Sequence, residues 1–584
     1  MIKIKKIICV VLSILLVATM TNCTAKKLTD IRTLTDEEYA VNSLSAVDAL
    51  GRVTLSGDTE SSRDVGIFYF LWLGAHSSGS SVYDVSVLEE ENPEALWSPT
   101  SSESPINTYH FWGEPLFGYY DSSDPWVLTR HIELFTMSGI DFLMFDVTNG
   151  VTYDNVVQQL LVLLDKYQKQ GWDVPKIAFM SNTGSYNVIN RVYTNYYDEN
   201  SQYYYPDLWY SPNDKPLICG NKMYFDENSS NDAFMLDFFD LRDTQWPNTP
   251  YKDEEAFPWI DWSYPQTNHK GVMSVSVAQH VVSKMSYKDL NWGRAYNQDT
   301  FLNESDKVDY GLNFQSQWDT VFNTLNNGDD IDTVFLTGWN EWIAIKFYQN
   351  NEVYFVDQFN EEYSRDIELM KGGYGDNYYL QMLNNIKKFK YSAANDYSIS
   401  QNTIDIKGDL SQWNNIQSYP DFEGDALERN YKGYVSALTY IDRTNRNDIV
   451  DIKITHDKTK VYFYVKTLQN ITFYENGDTD WMNIWLNFDS NKSGYSYVIN
   501  RDYGKLYAVN NNNYSLAGDV DINIKNNVMT VAVPLSLMGA SSKNLSINFK
   551  VSDNVDSSDV MNFYLQGDSA PIGRLNYTYG YFNN

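Results

Sequence analysis

Glu341 stands in the stretch Val334-Phe-Leu-Thr-Gly-Trp-Asn-Glu-Trp-Ile-Ala344, with Trp339 and Asn340 before it and Trp342 after it. A carboxyl group beside an amide and between two indoles has the parts needed for glycoside chemistry. The acid gives or takes a proton at a glycosidic oxygen, the amide bonds a neighbouring hydroxyl, and an indole face stacks on a sugar ring. The plainer alternative is a strand-end Glu in a salt bridge, with the tryptophans in the core. Hydrolysis needs a second group to activate water, attack the anomeric carbon or deprotonate a sugar hydroxyl. The candidates for it are Asp146, Glu114 and Asp357, against the ordinary roles of helix cap and surface ion pair.

These residues sit where elements end. Val334–Leu336 is a short apolar run bounded by Gly338 and reads as a buried strand. Val65–Trp72 reads as a first strand ending in Trp72. A long Gly-, Ser- and Pro-containing connection follows and gathers His110, Trp112 and Glu114; loops of that length are uncommon without a function. Asp124 and Pro125 open a helix carrying Leu128, Ile132 and Phe135 on one face, and Gly139 stops it. The run Ile140–Phe145 then leads to Asp146 and Asn149, and a helix from Asp154 to Gly171 follows. Lys176–Met180 leads to Asn182, and Gly271–Ala278 to Gln279 and His280. Pro216–Gly220 and Phe238–Arg242 are weaker strands, and a helix over Ser316–Leu325 precedes the strand before Glu341. Strands alternating with helices predict a parallel sheet, here a closed (β/α)₈ barrel, whose strand C-termini converge on a ligand. The barrel spans about 63–395, and a helix over Tyr378–Phe389 closes it. From 396 to 584 short alternating runs separated by Asp-, Asn- and Gly-rich turns predict an all-β sandwich.

The N-terminus reads as a targeting signal. Lys3, Lys5 and Lys6 precede an apolar run from Ile7 to Met20, long enough for a signal core and short for a membrane span. Cys23 follows, giving a bacterial lipoprotein-type signal over 1–22 with Cys23 lipidated, then a polar tether with some packed turns over 23–62. The expected location is extracytoplasmic, anchored at the cell surface by lipid alone; ordinary secretion is the alternative. With Cys9 and Cys23 so accounted for, Cys219 is the one cysteine left and no intrachain disulfide is available. The chain of 584 residues carries a formal net charge of −32, which repels phosphate backbones and excludes nucleic acid as a partner. Its 46 Tyr and 16 Trp suit carbohydrate stacking. The 6 His hold no His-Glu-x-x-His and no pair at ligand spacing, and phosphate-cradling Gly loops are absent, so neither catalytic metal nor nucleotide is expected.

Phe68-Tyr-Phe-Leu-Trp72, His110-Phe-Trp-Gly-Glu-Pro115, Phe145-Asp146 and Thr337-Gly-Trp-Asn-Glu-Trp342 together resemble bacterial proteins related to glycoside hydrolase families 71 and 99. The resemblance implies a (β/α)₈ barrel that hydrolyses a mannan-like or other α-glycan, with Glu341 as a catalytic carboxylate. In family 99 a second Glu follows three residues after the first; here that position is Ala344. A partner carboxylate from elsewhere, or a barrel that binds glycan without cleaving it, therefore stays open. Trp72, His110, Trp112, Asn149, Asn182, Gln279, His280, Trp339, Asn340, Trp342 and Asp357 are the expected substrate contacts. Ile404-Asp-Ile-Lys-Gly-Asp-Leu-Ser-Gln-Trp413 and Val531-Ala-Val-Pro-Leu-Ser-Leu537 resemble family 9-like carbohydrate-binding modules. Such domains bind sugars through paired Trp residues and in some cases hold structural calcium. Trp481 and Trp485 are the aromatic candidates, and Asp478, Asp480 and Asp489 the calcium candidates; a core pair and a solvated acidic turn are the alternatives.

Overall fold

The structure, a computed structural model, describes residues 34–58, 62–77, 79–252, 255–282, 284–390, 401–543 and 545–580. The signal segment, Cys23 and the expected boundary near 396 lie outside them.

Eight parallel strands form one sheet: β1 Asp64–Tyr69, β2 Phe142–Val147, β3 Lys176–Ser181, β4 Leu217–Gly220, β5 Asp240–Gln245, β6 Phe257–Pro258, β7 Val272–Ser276 and β8 Thr333–Thr337. Their order is β7-β8-β1-β2-β3-β4-β5-β6, and the two end strands β6 and β7 lie against each other, which nearly closes the barrel. Helices α1 Pro125–Ser138, α2 Asp154–Gln168, α3 Ser185–Val192, α4 Ser230–Phe238, α5 Leu312–Asn326 and α6 Asn377–Lys390 pack outside. The start of α1 follows its local chemistry. Asp124 accepts from Trp126 N, Pro125 takes the first turn, and Gly139 ends the helix at φ 77°.

Period-two alternation sorts the strand residues. Phe68, Phe142, Met144, Ala178, Met180, Leu217, Cys219, Phe257, Val272 and Phe335 fill the barrel interior, while Val65, Ile67, Leu143, Phe145, Ile177, Phe179, Val334 and Leu336 join the core under the helices. Cys219 is thus an interior strand residue, and burial pushes its thiol above the ordinary range. Continuing the inward face of β2 from Phe142 and Met144 brings Asp146 to the barrel mouth. Gly66 makes room for the interior: a Cβ there would lie 2.1 Å from Phe142 Cζ.

Part of the long connection after β1 is ordered as a strand, Thr108–Phe111. It pairs with Ile343–Gln349, which pairs in turn with Glu352–Val356, so a three-stranded antiparallel sheet follows directly on β8. The second region is a β-sandwich with a five-stranded and a seven-stranded sheet, centred on Lys460–Thr467 and Ile547–Asp553. It packs against the barrel through ion pairs and an aromatic stack. Arg429 binds Asp124 at 2.8 Å, Arg574 binds Asp376 at 2.8 Å, and Phe422 stacks on Trp172 at 4.3 Å. The expected tether needs correcting where it is described. Asp36–Ser43 is a helix whose Tyr39 packs on Tyr419, and Ser45 exchanges backbone hydrogen bonds with Asn576. Buried Ala40, Leu44 and Ala46 tie this stretch into the folded body. Among the described residues no helix is long and apolar enough to cross a membrane.

Gly66→Ala should destabilise the barrel by about 1–3 kcal/mol through overpacking, read as a lower thermal unfolding midpoint and partly recovered by adding Phe142→Leu. An unchanged midpoint would contradict the interior placement.

Candidate active site

The centre of the site is one buried guanidinium. Arg365 Nη2 donates to Glu341 Oε2 at 2.6 Å, and Nη1 donates to the Asp357 backbone carbonyl. Its flat face lies 4.9 Å from the Trp259 ring centroid. Asp366 accepts from the Glu341 backbone N–H at 3.0 Å and from Gln358 Nε2 at 2.8 Å, and Gln358 also reaches Glu341 at 3.3 Å. Asp146 stands across the mouth, accepting from Thr148 N at 3.0 Å and from Trp72 Nε1 at 3.4 Å.

Glu341, Asp357 and Asp366 thus crowd around Arg365, and Asp146 adds its charge to Glu341; a second buried guanidinium, Arg294, donates to the Asp366 backbone carbonyl at 2.7 Å and opposes the rise of the Asp366 carboxyl. The Glu341 side chain is 13% exposed. Burial pushes its carboxyl well above the usual range; Arg365 opposes this, and Asp357, Asp366 and Asp146 add to it. Burial also raises Asp357, Asp366 and Asp146. Such groups titrate together, so a proton retained here would belong to the cluster rather than to one residue. Asp357 differs from the others in one respect: among the described residues its carboxylate accepts no hydrogen bond, while its backbone is fixed at φ 68°. It is the acid most open to a ligand.

The wall behind Glu341 is built from its neighbours. Asn340 is zipped to the Phe70 backbone, accepting from Phe70 N at 2.9 Å and donating to Phe70 O at 3.1 Å, and it reaches Tyr120 Oη at 3.2 Å. Trp342 Nε1 and Tyr120 Oη both donate to buried Glu368, whose other oxygen meets His131 Nε2 at 2.8 Å. Trp112 stacks on Trp342 at 4.1 Å and donates to the Glu341 carbonyl at 2.9 Å. Trp339 packs edge-on against His131 and Phe135.

Several expected ligand contacts are therefore corrected. Trp112, Trp339 and Trp342 are fully buried and have no free face for a sugar. Asn340 spends its amide on Phe70 and Tyr120. His110 is buried on Ser104 Oγ at 2.9 Å and the Thr108 carbonyl at 3.0 Å, and burial lowers its pKa to about 4. Glu114 pairs with Lys371 at 2.9 Å, outside the group around Arg365. The remaining expected residues line strand ends. Trp72 is half-buried beside Asp146, and Asn149 is exposed and bonded to Tyr153. Asn182 is exposed after β3. Gln279 is buried and donates to the Asp261 carbonyl. His280 is buried, its pKa lowered to about 3 by burial and by Arg365. Its Nδ1 faces the Val282 carbonyl at 3.2 Å, and its Nε2 has no partner.

Arg365, Gln358, Asp366 and Trp259 were not expected from sequence. The one signal for the first three was the density of ionisable groups in Asp357–Asp366, immediately after a strand. Position 344, where the resemblance calls for a second Glu, is a strand residue paired with His110 and packed among Val85, Leu96, Phe355 and Phe359. No carboxylate fits there.

In the sandwich, Trp481 and Trp485 do not present one face. Met482, at φ 44°, breaks the alternation between them. Trp481 packs with Tyr474 and Tyr503, and Trp485 with Tyr495 and Phe563. Trp485 borders a cleft of about 720 Å³ that also includes Asn487, Tyr495, Tyr514 and Asn548. The expected calcium group does not assemble: Asp478 pairs with Arg446 at 2.8 Å and Asp489 with Lys492 at 3.3 Å.

No family model and no curated protein matches this chain. Among solved structures, it is similar to the GH99 endo-alpha-mannosidase from Bacteroides thetaiotaomicron at 12% identity and a TM-score of 0.30, over 57% of this chain and 98% of that one. A glycoside hydrolase-like protein matches at 13% identity and a TM-score of 0.31, over 57% of this chain and 96% of its own. A carbohydrate-binding module of family 9 from Caldicellulosiruptor kristjanssonii matches at 16% identity and a TM-score of 0.17, over 31% of this chain and 82% of that one.

Ala344→Glu, which supplies the carboxylate missing from the family 99 pattern, should lower the thermal unfolding midpoint, because it buries an unpaired charge in an apolar pocket. Unchanged stability would show that position 344 opens to the mouth instead.

Proposed function

We propose that this chain is an extracytoplasmic glycoside hydrolase that cleaves O-glycosidic bonds of a polysaccharide or glycan at the barrel mouth, with Glu341 as one catalytic carboxylate. The observation that carries this reading is the group of buried carboxyls at the mouth: Glu341, Asp357 and Asp366 around Arg365, with Asp146 acting on Glu341. Burial raises every one of these carboxyls and mutual repulsion adds to it, which favours a retained proton, and a retained proton is what a glycosidic leaving group needs.

The roles follow from the partners. Glu341 gives its proton to the glycosidic oxygen as the bond from that oxygen to the anomeric carbon breaks and the electron pair leaves with the oxygen. Asp357, its oxygens uncommitted, or Asp146 across the mouth takes the proton of the attacking water or bonds the anomeric carbon itself. Arg365 then steadies the Glu341 carboxylate left behind, and Asp366 fixes the Glu341 backbone. Trp72, half-buried beside Asp146, offers an aromatic face near the reacting bond. His280, its pKa lowered to about 3, stays neutral beside Arg365 and adds no second positive charge there.

The Trp339-Asn-Glu-Trp342 resemblance makes α-mannans the first substrates to try and α-glucans the second. The signal segment and Cys23 support lipid anchoring outside the cytoplasm. A non-catalytic glycan-binding barrel is the second reading, favoured by the apolar surroundings of Ala344.

Reducing-sugar release from a panel of α-mannans, α-glucans and other microbial polysaccharides tests the proposal. Wild type should release sugar, and Glu341→Gln and Asp357→Asn should each cut the rate by about 10²-fold or more while binding in gel-retardation persists. Binding without release by wild type would move the assignment to the glycan-binding reading.

The pH profile gives a second check. The raised carboxyl is the acid in its protonated form, so activity should fall as pH rises through its raised pKa and the proton is lost. Glu341→Gln should abolish that alkaline limb in whatever residual activity it keeps. A rate still climbing well into alkaline pH would rule out Glu341 as the acid.

A further inference from the structure

A second group of acids lies away from the barrel mouth, where the sandwich meets α1. Asp421, Asp425 and Asp568 are each buried, at 2%, 1% and 0% exposure, and each offers a carboxylate oxygen within 4.8 Å of the others'. Oxygens that share one calcium ion, at about 2.3–2.6 Å each, lie at most about 5 Å apart. The spacing is that of a common ion.

The unmet hydrogen bonding points the same way. Among the described residues, both oxygens of Asp421 are buried without a hydrogen-bond partner, as are Oδ1 of Asp425 and Oδ1 of Asp568. Buried carboxylate oxygens are ordinarily hydrogen-bonded, because an unpaired one costs free energy that the rest of the fold must offset. A fourth carboxylate, Glu133 on α1, stands beside them with Oε1 unpartnered as well.

The neighbouring cations add positive charge but, among the described residues, make no hydrogen bond to the unpartnered oxygens. Arg130 Nη1 reaches Asp425 and Glu133 only at 3.4 Å each, and its Nη2 goes to the Gly567 carbonyl. Lys550 is buried too, but it gives its ammonium to the Pro571 carbonyl. Lys166 gives its own to the Gly424 carbonyl at 2.9 Å. Among the described residues, Ile449 N donates to Asp568 Oδ2, and the backbone N–H groups of Phe422 and Ala426 lie near enough to favour the charged forms of Asp421 and Asp425.

We propose that Asp421, Asp425 and Asp568 hold a divalent cation of the calcium class, which fastens the sandwich to the barrel at α1. An all-oxygen, all-carboxylate set is hard and selects calcium or magnesium over softer transition metals. The ion sits where two regions meet. Asp421 and Asp425 flank Phe422, which stacks on Trp172 of the barrel, and Arg130 and Glu133 belong to the helix that starts at Asp124, itself bound to Arg429. Binding the ion therefore stabilises the docked arrangement of the two regions, and it does so whether or not the mouth hydrolyses glycan.

The test uses the full chain. Protein dialysed against calcium chloride and then against metal-free buffer should retain one calcium per chain by elemental mass spectrometry. EDTA should lower the thermal unfolding midpoint by several degrees, with calcium chloride restoring it and magnesium chloride restoring less. Asp421→Asn and Asp425→Asn, made separately, should lose both the bound calcium and the response to EDTA, whereas Asp480→Asn should keep them. If both interface variants fail to fold, the wild-type stoichiometry and EDTA response, together with an unaltered Asp480→Asn, still carry the test. Calcium-free wild type whose midpoint ignores EDTA and calcium would overturn the proposal, as would loss of calcium from Asp480→Asn alone.

Discussion

The site depends on the positive charge of Arg365. A guanidinium stays charged at any working pH even when buried, so it is the fixed point around which the carboxyl groups must arrange their protons. Its ion pair with Glu341 at 2.6 Å and its bond to the Asp357 backbone bring the end of β8 and the far end of the Ile343–Val356 hairpin to one place. Asp366, the next residue, returns to hold the Glu341 N–H. One loop thus supplies the cation, a brace and an acid. Burial first, and the mutual repulsion of the carboxyl groups after it, is what favours a proton in the mouth, against the opposing charge of Arg365.

The barrel makes this arrangement rigid from behind. Asn340, Trp342 and Trp112 work on the protein side of Glu341: the amide is locked to Phe70, one indole to Glu368, and the other indole to the Glu341 carbonyl. Side chains of a type suited to sugar recognition are here used to aim a carboxyl group. That is the reason a short Trp-Asn-Glu-Trp element stays together even though only its Glu faces the mouth. Positioning of this kind, by packing and by buried hydrogen bonds, is what a proton donor needs if it is to meet a leaving oxygen in a fixed orientation.

Much of this was legible in the sequence, and the misses have physical reasons. The β1 to β3 region could be read because Asp124, Pro125 and Gly139 punctuate α1 and the strands are continuous apolar runs. The stretch from 185 to 265 could not: β4 and β6 are short, and β5 to β7 are joined without helices among the described residues. Glu341, Asp146 and Asp357 were readable as carboxyl groups near strand ends. Arg365 and Gln358 were not, because they reach the site only after a hairpin reverses the chain. Tryptophan serves sugar faces and cores equally well, so Trp112, Trp339 and Trp342 were misassigned by type. In the sandwich, the left-handed Met482 broke an alternation that residue types alone did not reveal.

The central claim is that Glu341 and its neighbours hold a proton at neutral pH because of burial and mutual repulsion. Infrared difference spectroscopy of the protonated-carboxyl carbonyl stretch, comparing wild type with Glu341→Gln at pH near 7, measures that most directly. A protonated-carboxyl band in wild type that is missing or shifted in Glu341→Gln, and that bleaches as pH rises, is the predicted result. Identical spectra in this region, with every carboxyl of the mouth ionised at neutral pH, would contradict it.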